Sequence, residues 1–193
     1  KYVVLEWINF SCPFVKKHYD SKNMQKLQDK YTQQGVIWLA ICSSAPGKEG
    51  HLPKDEIKKR SENYKTKFTA YLIDESGDVG RLYSAKTTPH MYIIDPQGTL
   101  IYAGAIDSIR STDKADIEKA ENYVSKALGE ALAGTNRAPV ATHRDRRRKG
   151  RQRLEDAPRL FRAPFDPLGD RLGNLRGGRC ALDIGESAPE RGL

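Results

Sequence analysis

The sequence has little cysteine and no long apolar run. Three cysteines, Cys12, Cys42 and Cys180, occur among 193 residues, which is too few for a disulfide framework and leaves at least one thiol unpaired. No run of about 18 apolar residues is present, so we expect no membrane-spanning helix. Hydrophobic residues make up only 38% of the chain, which indicates that part of the chain does not fold into a core.

The net charge of +8 is not spread evenly along the chain. Residues 144–193 contain 13 lysines and arginines against 8 acidic residues, and residues 1–143 contain 20 against 17. The basicity therefore belongs mainly to the tail. The nearly balanced main body gives no indication of a nucleic-acid-binding surface.

The basic residues of the last 50 positions are mainly arginine, whereas those of the rest of the chain are mainly lysine. The last 50 residues hold 12 arginines and one lysine, whereas the first 143 residues hold 16 lysines and 4 arginines. Without apolar periodicity, residues 135–193 are predicted to be a linker and a disordered basic tail. A nucleic-acid-binding arm is the functional alternative, but only Phe161 and Phe165 offer rings for stacking on bases. We favour the hypothesis that this tail is translated from a shifted reading frame. Translation of the DNA after Thr142 in the other two frames should then recover a different, native C-terminus.

The first 18 residues are the most informative stretch of the chain. Apolar residues predict a buried β-strand over 2–8, which the polar residues 9–11 end. The Cys12-Pro13 pair then opens a segment typical of a helix, since proline is tolerated in the first helical turn. We expect Cys12 at a helix N-terminus, where unpaired N–H groups and the helix dipole stabilise a thiolate. The other interpretation is a small buried hydrophobe, as free cysteines often are.

The remaining segments predict an α/β protein. The continuous apolar run 36–42 indicates a second, parallel strand, joined to the first through a helix over 13–34 that breaks near Asp20. The sequence Asp95-Pro96-Gln97-Gly98 predicts a turn between two antiparallel strands. The other predicted elements are a helix over 53–68, a strand at 71–73, helical turns within 79–84, the hairpin strands 91–94 and 99–103, and a helix over 113–133.

Three motifs in this order resemble the thioredoxin-like fold, specifically its redoxin branch of alkyl hydroperoxide reductase and thiol-specific antioxidant relatives. They are the Trp-x-x-x-x-Cys-Pro-x-Val stretch that begins at Trp7, the Thr88-Pro89 pair before a strand, and the strand-Asp-Pro-x-Gly-strand hairpin. The resemblance covers residues 1–134 and implies one domain there, a three-layer α/β/α sandwich with a central mixed sheet. It also implies that Pro89 is a cis-proline packed against Cys12 and that Thr88 contacts the sulfur.

The sequence also departs from the patterns of these relatives. Thioredoxins carry Cys-x-x-Cys, and Val15 occupies the second position here. Peroxiredoxins carry Pro-x-x-x-Thr-x-x-Cys, and Leu5 and Asn9 replace the proline and the threonine. Peroxiredoxins also place an arginine near the position of Pro89, and the sequence has none there. Relatives usually begin with a further hairpin or strand and helix, so we expect the chain to be truncated before Lys1.

The resemblance implies a redoxin-type oxidoreductase that uses the single thiolate of Cys12 on a peroxide or a disulfide. Glu6 lies six residues before Cys12, where thioredoxins hold a buried acid, and a desolvated carboxyl group there would exchange protons with the sulfur. Thr88 and Pro89 are expected to shape the site. Cys42 ends the second strand at the same edge of the sheet, so it is either a resolving cysteine or a buried thiol. The expected partners are the substrate and an external thiol reductant such as a thioredoxin-like protein, with no nucleic acid, membrane or cofactor.

A non-catalytic module of the same fold is the alternative. Such a domain would bind extended polypeptide along the edge at Pro89, or carry a metal. A metal site would combine Cys12 with a histidine and would need a second thiolate nearby. His18 follows Cys12 by six residues and His90 follows the proline, although surface or packing histidines are more common. The sequence does not indicate the compartment.

Overall fold

The computed structural model describes residues 1–135 and the backbone of residues 140–141. Apart from residue 135 and that two-residue strand, the predicted linker and tail lie outside the described residues, and so does Cys180. The elements in chain order are β1 (Val3–Trp7), α1 (Pro13–Asp20), α2 (Asn23–Thr32), β2 (Ile37–Cys42), α3 (Lys54–Tyr64), β3 (Ala70–Ile73), α4 (Asp78–Leu82), β4 (His90–Ile94), β5 (Leu100–Gly104), a 3₁₀ turn (Lys114–Asp116), α5 (Tyr123–Leu132) and β6 (Val140–Ala141).

One mixed sheet carries the fold, with its strands in the order β3-β2-β1-β4-β5-β6. Strand β1 lies inside it, parallel to β2 and antiparallel to β4. Strand β3 extends the parallel half, β5 pairs antiparallel with β4, and β6 runs parallel to β5. The prediction of early parallel strands and a late antiparallel pair is confirmed.

The side chains of β1 alternate between two apolar cores, as the two-residue period of a strand requires. Val4 faces the larger core, to which α1, α2, α3 and α5 also contribute. Leu5 and Trp7 face the smaller core on the opposite side, where Tyr83 and Ala85, which follow α4, pack on the sheet. The predicted three-layer α/β/α sandwich is therefore confirmed.

The first three helices follow the predicted positions, with one difference in extent. The predicted break near Asp20 is present, because Lys22 adopts a left-handed conformation with φ of 64° between α1 and α2. Helix α3 ends at Tyr64, four residues before the predicted end, where Lys65 is left-handed with φ of 54°. Within the described part of the chain, no helix has the length and apolar character needed to cross a bilayer.

The prediction of one helix over 113–133 is wrong. Asp113 caps a 3₁₀ turn by accepting from the Ala115 N–H, and the chain then continues through turns. The α-helix begins only at Tyr123, where the Asn122 side chain accepts from the Ser125 N–H at 2.8 Å. Asparagine favours a helix cap because its side chain replaces an acceptor that the first helical turn lacks. The apolar spacing across residues 117–132 therefore spans two elements.

Candidate functional site

Cys12 lies at the junction between the central strand and the first helix. It is the N-cap residue of α1, with extended φ of −66° and ψ of 127°, and Pro13 follows in the first turn. Its N–H donates to the Asn9 carbonyl at 3.0 Å, and its carbonyl accepts from the Lys16 N–H at 2.9 Å. The side chain is half-buried. The structure therefore places the sulfur at the helix N-terminus and partly open to solvent.

The thiol of Cys12 contacts the segment before β4. Its Sγ donates a hydrogen bond to the Thr88 carbonyl oxygen at 3.2 Å, and the Thr88–Pro89 peptide bond is cis. The side chain accepts no capping hydrogen bond from the first helical turn in this state. The N–H groups of Phe14 and Val15 have no intrahelical acceptor, as in any helix start, so a thiolate that turns away from the carbonyl meets free donors there.

Asn9 holds the turn that carries the cysteine. Its Oδ1 accepts from the Ser11 N–H at 2.8 Å, which makes an Asx turn next to Cys12. Gly50 packs directly on this side chain, and a Cβ atom at Gly50 would lie 2.7 Å from the Asn9 Cγ and 2.8 Å from the Ser44 Oγ. The sequence predicted Asn9 as part of the polar break and as the replacement of a threonine, but not its turn, although the Asn-x-Ser pattern before the helix is a turn signal.

Phe10 anchors the same turn to distant parts of the chain. Its ring stacks on Tyr64 of α3 at 5.7 Å and 16°, and on Tyr71 of β3 at 6.0 Å and 14°. It also meets Tyr19 of α1 edge-on at 5.8 Å. Offset aromatic pairs of this kind stabilise a core beyond their area of burial. The turn before Cys12 is therefore packed against one strand and two helices.

Glu6 is fully buried on the face of the sheet that carries the larger core. Its Oε1 accepts from the Tyr19 hydroxyl at 2.7 Å. Its Oε2 accepts from the Trp38 indole N–H at 2.7 Å and from the Gln28 Nε2 at 3.1 Å. The carboxyl group therefore has three donors from β2, α1 and α2, and Cys12 is not among them.

Burial raises the pKa of the Glu6 carboxyl group above its ordinary value of 4.5, and the hydrogen bonds from Trp38, Tyr19 and Gln28 oppose that rise. Desolvation disfavours the charged form, whereas donors aimed at the carboxylate favour it. Glu6 also raises the pKa of Tyr19, in addition to the effect of burial. The predicted buried acid is present, and its proton is held more tightly than that of an exposed glutamate.

Cys42 lies at the end of β2 with 4% of its surface exposed. Its thiol donates to the Gly50 carbonyl oxygen at 3.3 Å. Cys12 and Cys42 are both free thiols, and both pack against the larger core. Any role of Cys42 as a resolving cysteine stays a prediction.

A largely buried cluster of charged and polar side chains links helix α1 to the segment around Asp107. Lys17 is 2% exposed, and its Nζ lies 3.2 Å from the Asp107 Oδ2 and 3.3 Å from the Ile109 carbonyl. The His18 Nε2 lies 3.6 Å from the same Asp107 oxygen, and its Nδ1 is 2.8 Å from the Asn23 side-chain amide. Burial lowers the pKa of His18 to about 4, Asp107 opposes this, and Lys17 adds to it. The ring is therefore neutral at physiological pH.

The two histidines considered for a metal site have other surroundings. His18 belongs to the Asp107 cluster just described, and the His90 ring packs on Tyr92 at 4.5 Å, with Nδ1 at 3.0 Å from the Tyr92 hydroxyl. Among the described residues, no group of three or more histidine, cysteine or acidic side chains is placed to hold a metal ion.

A cavity of about 230 Å³ opens beside Thr88, at the edge of the sheet where β1 and β2 end. Trp7 lines the cavity, and its indole N–H donates to the Ser43 Oγ at 2.9 Å. The Ser43 hydroxyl in turn donates to Asp74 at 2.6 Å. The eight described residues that line the cavity are Trp7, Ile8, Ser43, Ser44, Ala85, Lys86, Thr87 and Thr88. Sequence reasoning missed it because its lining comes from three separate segments without a motif.

Comparison with known proteins places these features in context. A family model described as "AhpC/TSA family" matches residues 1–103. A crystal structure of an uncharacterized conserved protein from Geobacillus kaustophilus is 28% identical with a TM-score of 0.58, and covers 73% of this chain and 70% of its own. A hypothetical protein from Sinorhizobium meliloti 1021 is 25% identical with a TM-score of 0.57, and the coverage is 73% of both chains.

A more distant similarity bears on the fold alone. The solution structure of a thioredoxin-like protein in the oxidized form is 22% identical with a TM-score of 0.51, and covers 67% of this chain and 79% of its own. No curated protein sequence matches the chain. The thioredoxin-like architecture that the sequence motifs implied is confirmed.

Proposed function

The chain belongs to the AhpC/TSA family, and on this premise we propose that it is a thiol–disulfide oxidoreductase whose reacting group is Cys12. One observation carries the proposal: a half-buried sulfur at a helix N-terminus that contacts the Thr88 carbonyl, next to a cis-proline. A thiol that is neither sealed in the core nor fully solvated, beside unpaired helical N–H groups, has the surroundings of a reactive cysteine.

The proposed reaction is thiol–disulfide exchange. The Cys12 thiolate attacks one sulfur of a disulfide R–S–S–R′, a new Cys12–S–S–R bond forms, and R′S⁻ leaves and takes up a proton from water. A second thiol then attacks the mixed disulfide and restores Cys12. Since Val15 stands where a second active-site cysteine would be, and Cys42 is buried on the Gly50 carbonyl, the second thiol in this scheme comes from another molecule.

Thr88 and Pro89 form the wall against which the sulfur is held. In this proposal the Thr88 carbonyl fixes the position of the thiol, and the exposed edge beside it receives the partner. Glu6 acts at a distance as an internal acid, since its raised pKa lets it retain a proton when exposed carboxyl groups have lost theirs. Its hydrogen bond from Tyr19 also makes Glu6 a positioning residue for α1. In this proposal Glu6 therefore both orients the helix and supplies or accepts a proton.

A hydroperoxide is the second candidate substrate, because the Cys12-Pro13 pair at the helix start resembles that of peroxiredoxins. The thiolate would attack the peroxide ROOH, the O–O bond would break, and with one proton the products would be Cys12–SOH and ROH. The side chain of Asn9 stands where those proteins have threonine, and it is engaged with the Ser11 N–H. A disulfide is therefore the favoured substrate.

The deciding experiment measures the oxidation of Cys12 under pseudo-first-order conditions with hydroxyethyl disulfide and, separately, with hydrogen peroxide. We expect rapid, stoichiometric formation of a Cys12 mixed disulfide by mass spectrometry, and the loss of this product in Cys12→Ser. Cys42→Ser is the matched control and should retain the wild-type rate. A Cys12 that reacts no faster than free cysteine with either oxidant would overturn the proposal and favour a polypeptide-binding module.

A further inference from the structure

The cavity beside Thr88 shares a residue with the reactive site. The Thr88 carbonyl accepts from the Cys12 thiol, and Thr88 is also one of the residues that line the cavity. Thr88 is therefore the residue that the reactive sulfur and the cavity have in common. Ligand sites in open α/β sheets commonly lie outside the carboxyl ends of parallel strands, and Ile8 and Ser43, which follow β1 and β2, are at that edge here.

A hydrogen bond to Asp74 holds Ser43, one of the residues that line the cavity, in a fixed position. Asp74 is 8% exposed, and its Oδ2 accepts from the Ser43 hydroxyl and from the Gly80 N–H at 2.8 Å. Its Oδ1 accepts from the Val79 N–H at 3.3 Å. The Asp74 carboxylate is therefore fully hydrogen-bonded, and it fixes the orientation of the Ser43 hydroxyl. A preformed wall reduces the entropy that a ligand loses on binding.

The rim of the cavity supplies donors for an anion. Lys86 and Thr87 are exposed and Ser44 is half-exposed. None of the eight described lining residues carries a carboxylate. An ammonium group together with hydroxyl donors recognises a carboxylate by charge and by hydrogen bonds. The volume of about 230 Å³ is smaller than a typical drug-sized pocket of roughly 300–1,000 Å³, so it suits one small polar moiety.

We propose that this cavity is a subsite for the carboxylate of a low-molecular-weight thiol, which enters as its disulfide R–S–S–R to form the mixed disulfide with Cys12, or as the thiolate RS⁻ to release Cys12 from it. The inference rests on the proposed exchange reaction and adds its second substrate. In the releasing step, the thiolate RS⁻ attacks the sulfur bonded to R in Cys12–S–S–R. The bond to Cys12 breaks, R–S–S–R leaves, and Cys12 regains its thiolate. A short thiol of this kind places its carboxylate at Lys86 while its sulfur lies at Cys12.

The kinetic test compares two disulfides of different charge. Oxidised glutathione carries carboxylates, and hydroxyethyl disulfide carries none. Lys86→Gln should slow the reaction of Cys12 with oxidised glutathione by about two- to fivefold, the range of an exposed ion pair, and leave hydroxyethyl disulfide unaffected. Lys26→Gln removes an exposed positive charge on α2 and is the matched control. Equal slowing with both disulfides, or equal slowing by both variants, would overturn the subsite.

The binding test does not depend on reactivity. S-methylglutathione cannot exchange, so it is titrated into Cys12→Ser while the two indole N–H signals are followed by NMR. Trp7 lines the cavity, whereas Trp38 is buried on the other face of the sheet against Glu6. We expect the Trp7 signal to shift and the Trp38 signal to stay, and the diethyl ester of the ligand to have little effect. No shift at Trp7, or equal shifts with the ester, would refute the carboxylate subsite.

The two tests separate failure of the inference from failure of the proposed function. An unreactive Cys12 together with a Trp7 shift on titration would remove the exchange reaction and leave a carboxylate-binding cavity. A reactive Cys12 with no effect of Lys86→Gln and no Trp7 shift would leave the oxidoreductase and remove the subsite.

Discussion

The Sγ of Cys12 and the carbonyl oxygen of Thr88 are joined by a hydrogen bond of 3.2 Å, although 76 residues separate them in the chain. The bond links the start of helix α1 to the segment before β4, across the central strands of the sheet. It therefore holds the only half-exposed cysteine of the described residues beside the cis peptide bond that precedes β4. The predictions below concern the residues that maintain this arrangement.

Gly50→Ala is expected to disturb the turn that carries Cys12. The new Cβ would come within 2.8 Å of Asn9 and Ser44, and φ is +93°, so both crowding and backbone strain oppose the change. We expect a loss of about 2–4 kcal/mol in the free energy of unfolding and slower reaction of Cys12 with disulfides. Gly47→Ala is the control, since φ is +76° and no atom lies within 4 Å. A comparable loss in both variants by urea unfolding would show that contact with Asn9 is unimportant.

The stability that Glu6 contributes should depend on pH in a defined direction. Because burial raises the pKa of its carboxyl group above 4.5 in the folded state, the folded protein binds this proton more tightly than the unfolded chain. The linked stability is fully present below pH 4.5 and is lost as pH rises through the raised pKa.

Glu6→Gln tests this relation. The glutamine does not titrate, and its amide N–H₂ group faces hydrogen-bond donors. We therefore expect the free energy of unfolding to fall by about 1–3 kcal/mol. The deficit relative to wild type should be larger at pH 5 than at pH 8, as measured by urea unfolding at both values. A deficit that grows as pH rises would contradict the raised pKa.

His18 should remain neutral far below the ordinary titration range of histidine. Burial lowers its pKa from 6.5 to about 4, so the unfolded chain binds the proton first as pH falls. The stability that this group contributes is present above pH 6.5 and is lost progressively as pH falls toward 4. NMR titration of the imidazole carbon-bound protons should give a midpoint near 4 for His18. A midpoint near 6.5 would show that the ring is more solvated than its contacts indicate.

Lys17→Met should destabilise the protein strongly, because it leaves the Asp107 carboxylate, whose side chain is only 9% exposed, without its nearest cation. Breaking one partner of a buried ion pair typically costs about 3–5 kcal/mol. The double variant Lys17→Met with Asp107→Asn should recover part of that loss, since no unpaired charge remains. Lys126→Met breaks an exposed pair with Glu121 and should have little effect on urea unfolding. Equal stability of Lys17→Met and Lys126→Met would show that the Lys17–Asp107 ion pair does not stabilise the position of α1.

Local patterns predicted the site best where neighbouring residues in sequence act together. The strand, the polar break and the Cys12-Pro13 pair gave a correct helix start because each signal is read within one turn. The Thr88-Pro89 pair was recognised by its resemblance to a family motif, and its bond is cis. The hairpin turn was also correct, since Asp95 accepts from the Gln97 and Thr99 N–H groups, which is the ordinary chemistry of such turns.

Features that depend on distant contacts were not predictable in the same way. Asn122 stands inside an apolar period that continues past it, so only the bridge to Asp107 reveals that the chain turns there. The pairing of Lys17 with Asp107 crosses 90 residues. The three donors to Glu6 come from three elements, so the sequence predicted a buried acid without its partners. In each case packing outweighs local propensity.

The stacking of Phe10 between Tyr64 and Tyr71 has a consequence for protein engineering. A graft of residues 7–20 into another scaffold would transfer the cysteine and its helix but leave behind both rings that wedge the preceding turn. The transplanted sulfur would then sample many orientations relative to the helix axis. A functional transplant would have to include the segment through β3 as well, because the frame of this cysteine is encoded far from the cysteine itself.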